Sequence, residues 1–164
     1  MMEARFRPPA VVRYDAFDVV GLEARTTRQR EAHPANAEIP RLWQRFFDEN
    51  ISRRVTGAVP GRVATVYRDY ATSGEYSVVL GPVARSGDDT ADGLVRVHVP
   101  AGRYLVFTVD GMPPEAMIAA WSRIDDWFAA EPQYRRAFRV DFEMLQPGAT
   151  TICVSIAGDE HDGP

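Results

Sequence analysis

Two stretches of the sequence, residues 17–83 and 102–156, follow the same order of elements: a strand, a helix opened by proline, a strand, a tight turn and another strand. A supersecondary unit that recurs in this way indicates internal duplication. The repeat therefore predicts an α+β fold of two βαββ halves related by pseudo-twofold symmetry. In this fold the sheets are antiparallel, both helices lie outside, and a ligand cleft lies between the halves.

Both predicted helices combine proline with an apolar stripe at helical spacing. Pro40 opens the first, since its fixed φ suits the first turn of a helix, and we expect that helix to run to about Asn50. Pro113 and Pro114 announce the second, which ends near Pro132. The first stripe is Leu42, Trp43, Phe46, Phe47 and Ile51, and the second is Ala116, Ile118, Ala119, Trp121, Ile124, Trp127 and Phe128.

One predicted strand, residues 138–145, alternates strictly between apolar and polar side chains, which is typical of a half-buried strand. The apolar row is Phe138, Val140, Phe142 and Met144, and the other row is Arg139, Asp141, Glu143 and Leu145. We expect the apolar row to pack under a helix. Glu143 then stands in mid-strand on the opposite, bare face of the sheet, where the two halves meet at the cleft.

The length of the chain and the positions of its loop-forming segments predict one domain over residues 1–164. Its core is expected at about 15–157, with halves at about 15–85 and 94–157. A polar loop at 88–93 separates the halves. Residues 1–12 are expected to be a frayed arm and 159–164 a disordered tail. The other predicted strands are 17–24, 62–70, 76–83, 94–99, 102–109 and 150–156, of which 62–70 and 76–83 form a hairpin around Gly74.

Composition excludes several classes of function. All 19 basic residues are Arg, so the chain has no lysine for a Schiff base or a P-loop. The histidines are far apart, so we expect no metal site, and no sequence motif supports a cofactor. The acidic second half is a poor surface for nucleic acid.

The same composition favours a reducing compartment. Cys153 is the single cysteine, so no internal disulfide forms, and a small buried thiol is a commoner role for it than a nucleophile. Residues 1–12 contain no apolar region of a signal peptide, and no apolar run is as long as a membrane span. We therefore expect a cytoplasmic protein that has no contact with a membrane.

Aligning the two halves brings acidic residues together. In that register residues 66–70 correspond to 140–144, which places Asp69 opposite Glu143 and Tyr67 opposite Asp141. From the pattern alone, a solvent-facing strand acid is the commoner role for Glu143. The tryptophans are expected mainly in the core, with either Trp121 or Trp43 reaching the cleft, where aromatic faces hold cations and flat rings.

Several short motifs, each found once, follow one another along the chain in an order and spacing that are informative together. They are Ile39-Pro40-Arg41-Leu42-Trp43, Val66-Tyr67-Arg68-Asp69-Tyr70, the run from Val97 to Phe107, the tryptophan-containing second helix, Glu131-Pro132-Gln133-Tyr134 and Asp141-Phe142-Glu143. With these motifs the sequence resembles the GyrI-like, bacterial transcription-activator effector-binding family over about residues 15–157.

The resemblance implies a pair of strand-helix-strand-strand units with a cleft between them. It implies that Glu143, surrounded by aromatic side chains, receives cationic amphipathic molecules. The expected ligand-binding residues are Glu143, Tyr67, Asp69, Trp121, Trp43 and Phe107. No helix-turn-helix precedes the domain in this sequence, so we expect a stand-alone version that does not contact nucleic acid directly.

Three functional classes follow from this interpretation. The first is a binding module for lipophilic or cationic small molecules, with a role in sensing or sequestration. The second is a hydrolase in which Glu143 and Tyr67 act on an electrophilic or strained compound, as some members of the resembled family do. The third is a protein inhibitor of a partner enzyme. Binding ranks first, with a cationic or amphipathic small molecule as the partner and a monomer or homodimer as the assembly.

Overall fold

A computed structural model of the 164-residue chain describes residues 8–85, 87, 90–111, 115–131 and 133–158. Several predicted features lie wholly or partly outside the described residues. They are the start of the N-terminal arm, part of the 88–93 loop, the Pro113-Pro114 helix opening, the Pro132 helix end and the tail from residue 159.

Within those residues the chain forms strands and helices that match most of the predicted elements. The strands are β1 (Ala10–Tyr14), β2 (Phe17–Thr27), β3 (Ala58–Arg68), β4 (Glu75–Ala84), β5 (Val95–Val99), β6 (Gly102–Thr108), β7 (Arg135–Arg136), β8 (Val140–Gln146) and β9 (Ala149–Ala157). The helices are α1 (Arg28–Glu31), α2 (Ile39–Asp48), α3 (Ile51–Arg54) and α4 (Glu115–Ala130).

Eight of these strands form one antiparallel sheet in the order β1-β6-β9-β8-β3-β4-β2-β5, and β7 pairs with β9. The predicted antiparallel α+β fold is confirmed, but the expectation of separate sheets is wrong. The strands β3 and β8 pair directly in the middle, and backbone hydrogen bonds continue across that junction. The order is β3-β4-β2 on one side of this pair and β8-β9-β6 on the other.

The sheet curls until its two ends meet. Only two residues separate Tyr14 on β1 from Phe17 on β2, yet these strands lie near opposite ends of the sheet order. Three peptide units span at most about 11 Å, so the two ends are held together. The ring of Phe142 on the central strand β8 accordingly contacts both Tyr14 and Phe17, with centroids 5.4 and 5.0 Å apart.

The N-terminal boundary differs from the sequence prediction. Residues 10–12 were expected to be part of a frayed arm, but they belong to β1, which pairs with β6 over five residues. The physical reason is the curl: β1 completes the edge beside β6, whose backbone groups otherwise lack partners on that side. The hairpin of β3 and β4 is confirmed.

The start of α2 explains why the helix forms where proline predicts it. Pro40 lies in the first turn. The carboxylate of Glu31 accepts the backbone N–H groups of Glu38 at 2.8 Å and Ile39 at 3.0 Å, which satisfies donors that a helix start leaves free. Leu42 and Phe46 then bury the apolar side of the helix.

The helices lie on the face of the sheet that carries Glu143. The expectation that the apolar row of β8 packs under a helix is therefore wrong. Val140, Phe142 and Met144 instead pack in a cluster of side chains from the strands alone. Phe138 precedes β8 and is 53 % exposed, so it is not part of that row. The curled sheet covers its own apolar face and needs no helix there.

The two main helices flank the centre of the sheet. Apolar residues of α2 pack with β2 and β4, whereas those of α4 pack with β6 and β9. Trp121 of α4 contacts both of these clusters, so it lies over the junction between them. No helix in the described ranges is long and apolar enough to cross a membrane.

Candidate functional site

The candidate site lies where β3 and β8 pair at the centre of the sheet. Thr65 is the register partner of Glu143, and Tyr67 is the register partner of Asp141. Residues directly opposite in an antiparallel pair point to the same face, with Cβ atoms about 4.5–5.5 Å apart. All four side chains therefore stand on the helix-bearing face, in the space between α2 and α4.

Glu143 is a buried carboxylate held by neutral donors. It is only 2 % exposed. The hydroxyl of Tyr67 donates to Oε2 at 2.7 Å, and the indole Nε1 of Trp121 donates to the same oxygen at 2.6 Å. Among the residues that the structure describes, no arginine forms an ion pair with this carboxylate. The negative charge of Glu143 is thus solvated by hydrogen bonds but not neutralised.

Burial sets the protonation behaviour of this group. Removal from water raises the pKa of Glu143, and the hydrogen bonds from Trp121 and Tyr67 offset only part of that rise. Burial, and then the neighbouring carboxylate, raise the pKa of Tyr67 well above its ordinary value, so Tyr67 stays a donor at neutral pH. A cation placed beside Glu143 would favour the charged carboxylate and lower its pKa.

Aromatic rings surround the carboxylate. The ring of Tyr67 lies edge-on to Trp121 with centroids 5.6 Å apart, and 5.9 Å from the ring of Tyr76. Tyr70 continues the row, 5.9 Å from Tyr76 and 5.6 Å from Phe138. An acid beneath a wall of aromatic rings suits an apolar cation, because the rings offer both dispersion and quadrupole attraction.

Asp141, two residues before Glu143, is buried in a different environment. The guanidinium of Arg136 pairs with its Oδ2 at 2.8 Å, and the hydroxyl of Tyr70 donates to the same oxygen. The backbone N–H and the hydroxyl of Ser155 donate to Oδ1 at 2.7 and 3.0 Å. Both oxygens of Asp141 are therefore satisfied and its charge is compensated within the protein.

Arg136 also contacts the aromatic wall. Its guanidinium lies 4.3 Å from the ring centroid of Phe138 and 5.4 Å from that of Trp121. Phe138 adopts a φ of 53°, a left-handed conformation that costs a residue with a bulky side chain. The contact with Arg136 holds this exposed ring at the rim of the site.

The structure brings together three of the six predicted ligand-binding residues: Glu143, Tyr67 and Trp121. Asp69 does not face Glu143. The strand β3 ends at Arg68, and Asp69 has a φ of 54°, so the strand alternation that placed it beside Tyr67 does not continue to it. Its side chain is 67 % exposed and pairs with Arg68 at 3.5 Å.

The remaining two predicted residues lie on the flanks. Trp43 is half-buried on α2 and stacks on Phe47 with centroids 5.8 Å apart. Phe107 is buried beneath α4 against Trp127 and Phe128, two strands away from β8. Both rings contribute to the packing that positions the helices beside Glu143.

Sequence reasoning did not identify four neighbours of the site: Thr65, Tyr70, Tyr76 and Arg136. Thr65 has the same strand alternation as Tyr67, so the pairing of the two central strands carries a signal for it. Arg136 lies outside the main strands, and its contact with Asp141 depends on how the chain turns before β8, which no spacing rule gives.

The carboxylate of Glu143 is covered in this conformation, since the residue is buried. Two surface depressions are lined by residues of α2, α3 and the segment between them, and Glu143 lines neither of them. No group of three or more histidine, cysteine, aspartate or glutamate side chains in the described ranges is placed to hold a metal ion. The arrangement offers a buried anion and apolar rings, which suit an organic cation.

Residues 10–156 match a family model, Cass2, described as integron-associated effector binding protein. The transcriptional regulator BrlR of Pseudomonas aeruginosa is 29 % identical over 133 residues, which are 81 % of this chain and 46 % of BrlR. The chain thus spans about half the length of that relative.

Solved structures share the fold. The integron cassette protein VCH_CASS2 from the mobile metagenome of Vibrio cholerae has a TM-score of 0.77 and 25 % identity, covering 93 % of this chain and 97 % of that one. SAV2435, solved bound to tetraphenylphosphonium, has a TM-score of 0.73 and 18 % identity, covering 95 % and 98 %. A putative bacterial transcription regulation protein from Staphylococcus aureus MU50 has a TM-score of 0.70 and 17 % identity, covering 92 % and 98 %.

Proposed function

The chain belongs to the family of integron-associated effector-binding proteins, and on that premise we propose that it is a receptor for lipophilic organic cations, with Glu143 as the charge partner. Membership of an effector-binding family supports small-molecule binding. The cationic character of the ligand is the further step. One structural relative, SAV2435, is bound to the lipophilic cation tetraphenylphosphonium.

The observation that carries the proposal is the environment of Glu143. This carboxylate is 2 % exposed and receives hydrogen bonds from Tyr67 and Trp121, but it pairs with no arginine in the described part of the chain. Burying an uncompensated carboxylate is costly. An organic cation that enters beside Glu143 supplies the missing positive charge. The cation in turn exchanges its contact with water for contact with aromatic rings.

A ligand reaches this carboxylate only after side chains move. The ion pair between Arg28 of α1 and Asp125 of α4 links these two helices at 2.8 Å, and Asp125 lies one helical turn from Trp121. The side chain of Arg28 is 70 % exposed, and an exposed ion pair contributes only about 0–1 kcal/mol. Opening between α1 and α4 breaks only this weak contact, and we propose it as the route to Glu143.

The test is isothermal titration calorimetry with tetraphenylphosphonium on the wild type and on Glu143→Gln. Glutamine keeps an oxygen that accepts the hydrogen bonds from Tyr67 and Trp121, so the fold should survive. We expect binding to weaken by about 1.5–3 kcal/mol, the size of a hydrogen bond to a charged group.

Asp69→Asn is the matched control, because it removes one exposed acid and changes the net charge equally. It should leave the affinity for tetraphenylphosphonium within about twofold, since exposed charges are screened by salt. If the wild type binds the cation and Glu143→Gln binds it equally well, Glu143 is not the charge partner and the proposal is wrong.

Hydrolysis of an electrophilic small molecule is the second candidate function. The 2.7 Å hydrogen bond between Tyr67 and Glu143, together with the raised pKa of that glutamate, supports it. A glutamate with a raised pKa is a suitable general base for water, and a tyrosine hydroxyl can donate to the charge that develops on the substrate. Long incubation with electrophilic compounds, followed by mass analysis, separates the two functions: a receptor returns them unchanged, whereas an enzyme loses about 10²–10⁴-fold in rate in Glu143→Gln.

A further inference from the structure

Thr65 carries a buried hydroxyl that takes part in none of the hydrogen bonds around Glu143. The residue is 0 % exposed, and its Oγ1 has no hydrogen-bond partner among the described residues. Thr65 is the register partner of Glu143, so the two side chains stand side by side on the same face of the sheet. The hydroxyl is near enough to favour the charged form of the carboxyl, yet its geometry does not make a regular hydrogen bond.

An unpaired buried hydroxyl is costly, at about 1–3 kcal/mol, unless a bound molecule pairs with it. The oxygen of Thr65 has lone pairs to accept a hydrogen bond, and Glu143 accepts as well. Two adjacent acceptors, one of them charged, match a group that carries positive charge and more than one N–H. The donors that already reach Glu143, from Tyr67 and Trp121, leave the oxygen of Thr65 unused.

We infer that Thr65 is a specificity-determining residue that makes the site prefer a protonated primary amine over a quaternary cation. This inference rests on the proposed function, since it requires the cation to bind beside Glu143. One N–H of the ammonium group donates to Glu143 and another donates to Oγ1 of Thr65. A quaternary cation has no N–H, so it satisfies the charge of Glu143 but leaves the hydroxyl of Thr65 unpaired.

The experiment uses two ligands with the same hydrocarbon chain, decylammonium and decyltrimethylammonium, titrated calorimetrically at neutral pH. Thr65→Val removes the hydroxyl but keeps the shape, and Thr65→Ser keeps the hydroxyl. The wild type should bind decylammonium more tightly than decyltrimethylammonium. Thr65→Val should weaken decylammonium binding by about tenfold, should leave decyltrimethylammonium within about twofold, and Thr65→Ser should restore the preference.

The buried hydroxyl of Thr65 has no hydrogen-bond partner among the described residues, and such a hydroxyl is costly, so thermal unfolding should show Thr65→Val to be at least as stable as the wild type. Equal losses for both ligands, no loss for either, or a wild type that does not distinguish them would overturn the role of Thr65. The proposed function is judged separately by the response of tetraphenylphosphonium binding to Glu143→Gln, which does not depend on an N–H group.

Discussion

Asp141 and Glu143 are two buried acids on the same strand and the same face, but their surroundings are opposite. Asp141 has an arginine at 2.8 Å and three further donors from Tyr70 and Ser155. Glu143 has two neutral donors, both on one oxygen. The charge of Asp141 is thus compensated within the protein, whereas that of Glu143, two residues further along the strand, is not.

The contrast indicates a division of roles. An incoming cation gains little from Asp141, because it would have to displace Arg136 from an established ion pair. It gains more from Glu143, which lacks a cationic partner in the described structure. The buried acid with fewer protein contacts is therefore the better candidate for ligand binding, and the one with more is the better candidate for stability.

The largest expected effect is the loss of stability when Asp141 is deprived of Arg136, the arginine that compensates its charge. Arg136→Met leaves Asp141 buried without its cation, and removal of one partner from a buried ion pair costs about 3–5 kcal/mol. Urea unfolding monitored by fluorescence measures the loss.

The double variant Arg136→Met with Asp141→Asn is the control. It removes both charges, so it should recover most of the lost stability. A single variant that loses less than about 1 kcal/mol would show that Asp141 does not depend on Arg136 for charge compensation.

A smaller loss of stability is expected when the tyrosine that donates to each acid is replaced by phenylalanine, and its size should differ between the two acids. Tyr67→Phe leaves Glu143 with one described donor, that from Trp121, and we expect it to lower the free energy of unfolding by about 1–2 kcal/mol. Tyr70→Phe should cost less, because Asp141 keeps Arg136 and Ser155. Chemical denaturation of the two variants side by side checks the order, and the reverse order would contradict the contrast between the acids.

The smallest effect is one of pH. Because the pKa of Glu143 is raised on folding, its contribution to stability is complete below the unfolded pKa and is lost as the pH rises through the folded pKa. Wild type should therefore lose stability relative to Glu143→Gln as the pH rises through that interval. Unfolding curves at a series of pH values give this difference, and a difference independent of pH would show that burial does not raise the pKa.

The sequence predicted much of the fold because its signals were local. Alternation placed Asp141 and Glu143 on one face of β8, and proline with an apolar stripe marked α2. The face covered by the helices was predicted wrongly. An apolar row indicates burial but does not say what buries it, and here the curled sheet packs on itself through Phe142 and its neighbours.

The site was predictable only in part for a similar reason. Glu143 and Tyr67 follow from strand alternation and from the family resemblance, and Trp121 from the stripe of the second helix. The prediction for Asp69 was wrong because β3 ends at Arg68. Asp69 itself has a left-handed conformation, so the strand alternation does not extend to it. The contact of Arg136 with Asp141 joins different elements through the turn before β8, so tertiary packing decides it.

The most direct test of the central claim is the pKa of Glu143 itself, measured by NMR from the side-chain carboxyl carbon with and without tetraphenylphosphonium. Glu143→Gln assigns the signal by its disappearance. We expect a pKa above that of an ordinary glutamate in the free protein, because burial disfavours the charge, and a lower pKa in the complex, because the bound cation favours it. A pKa that is the same in the free protein and in the saturated complex would contradict the claim that Glu143 receives the positive charge of the ligand.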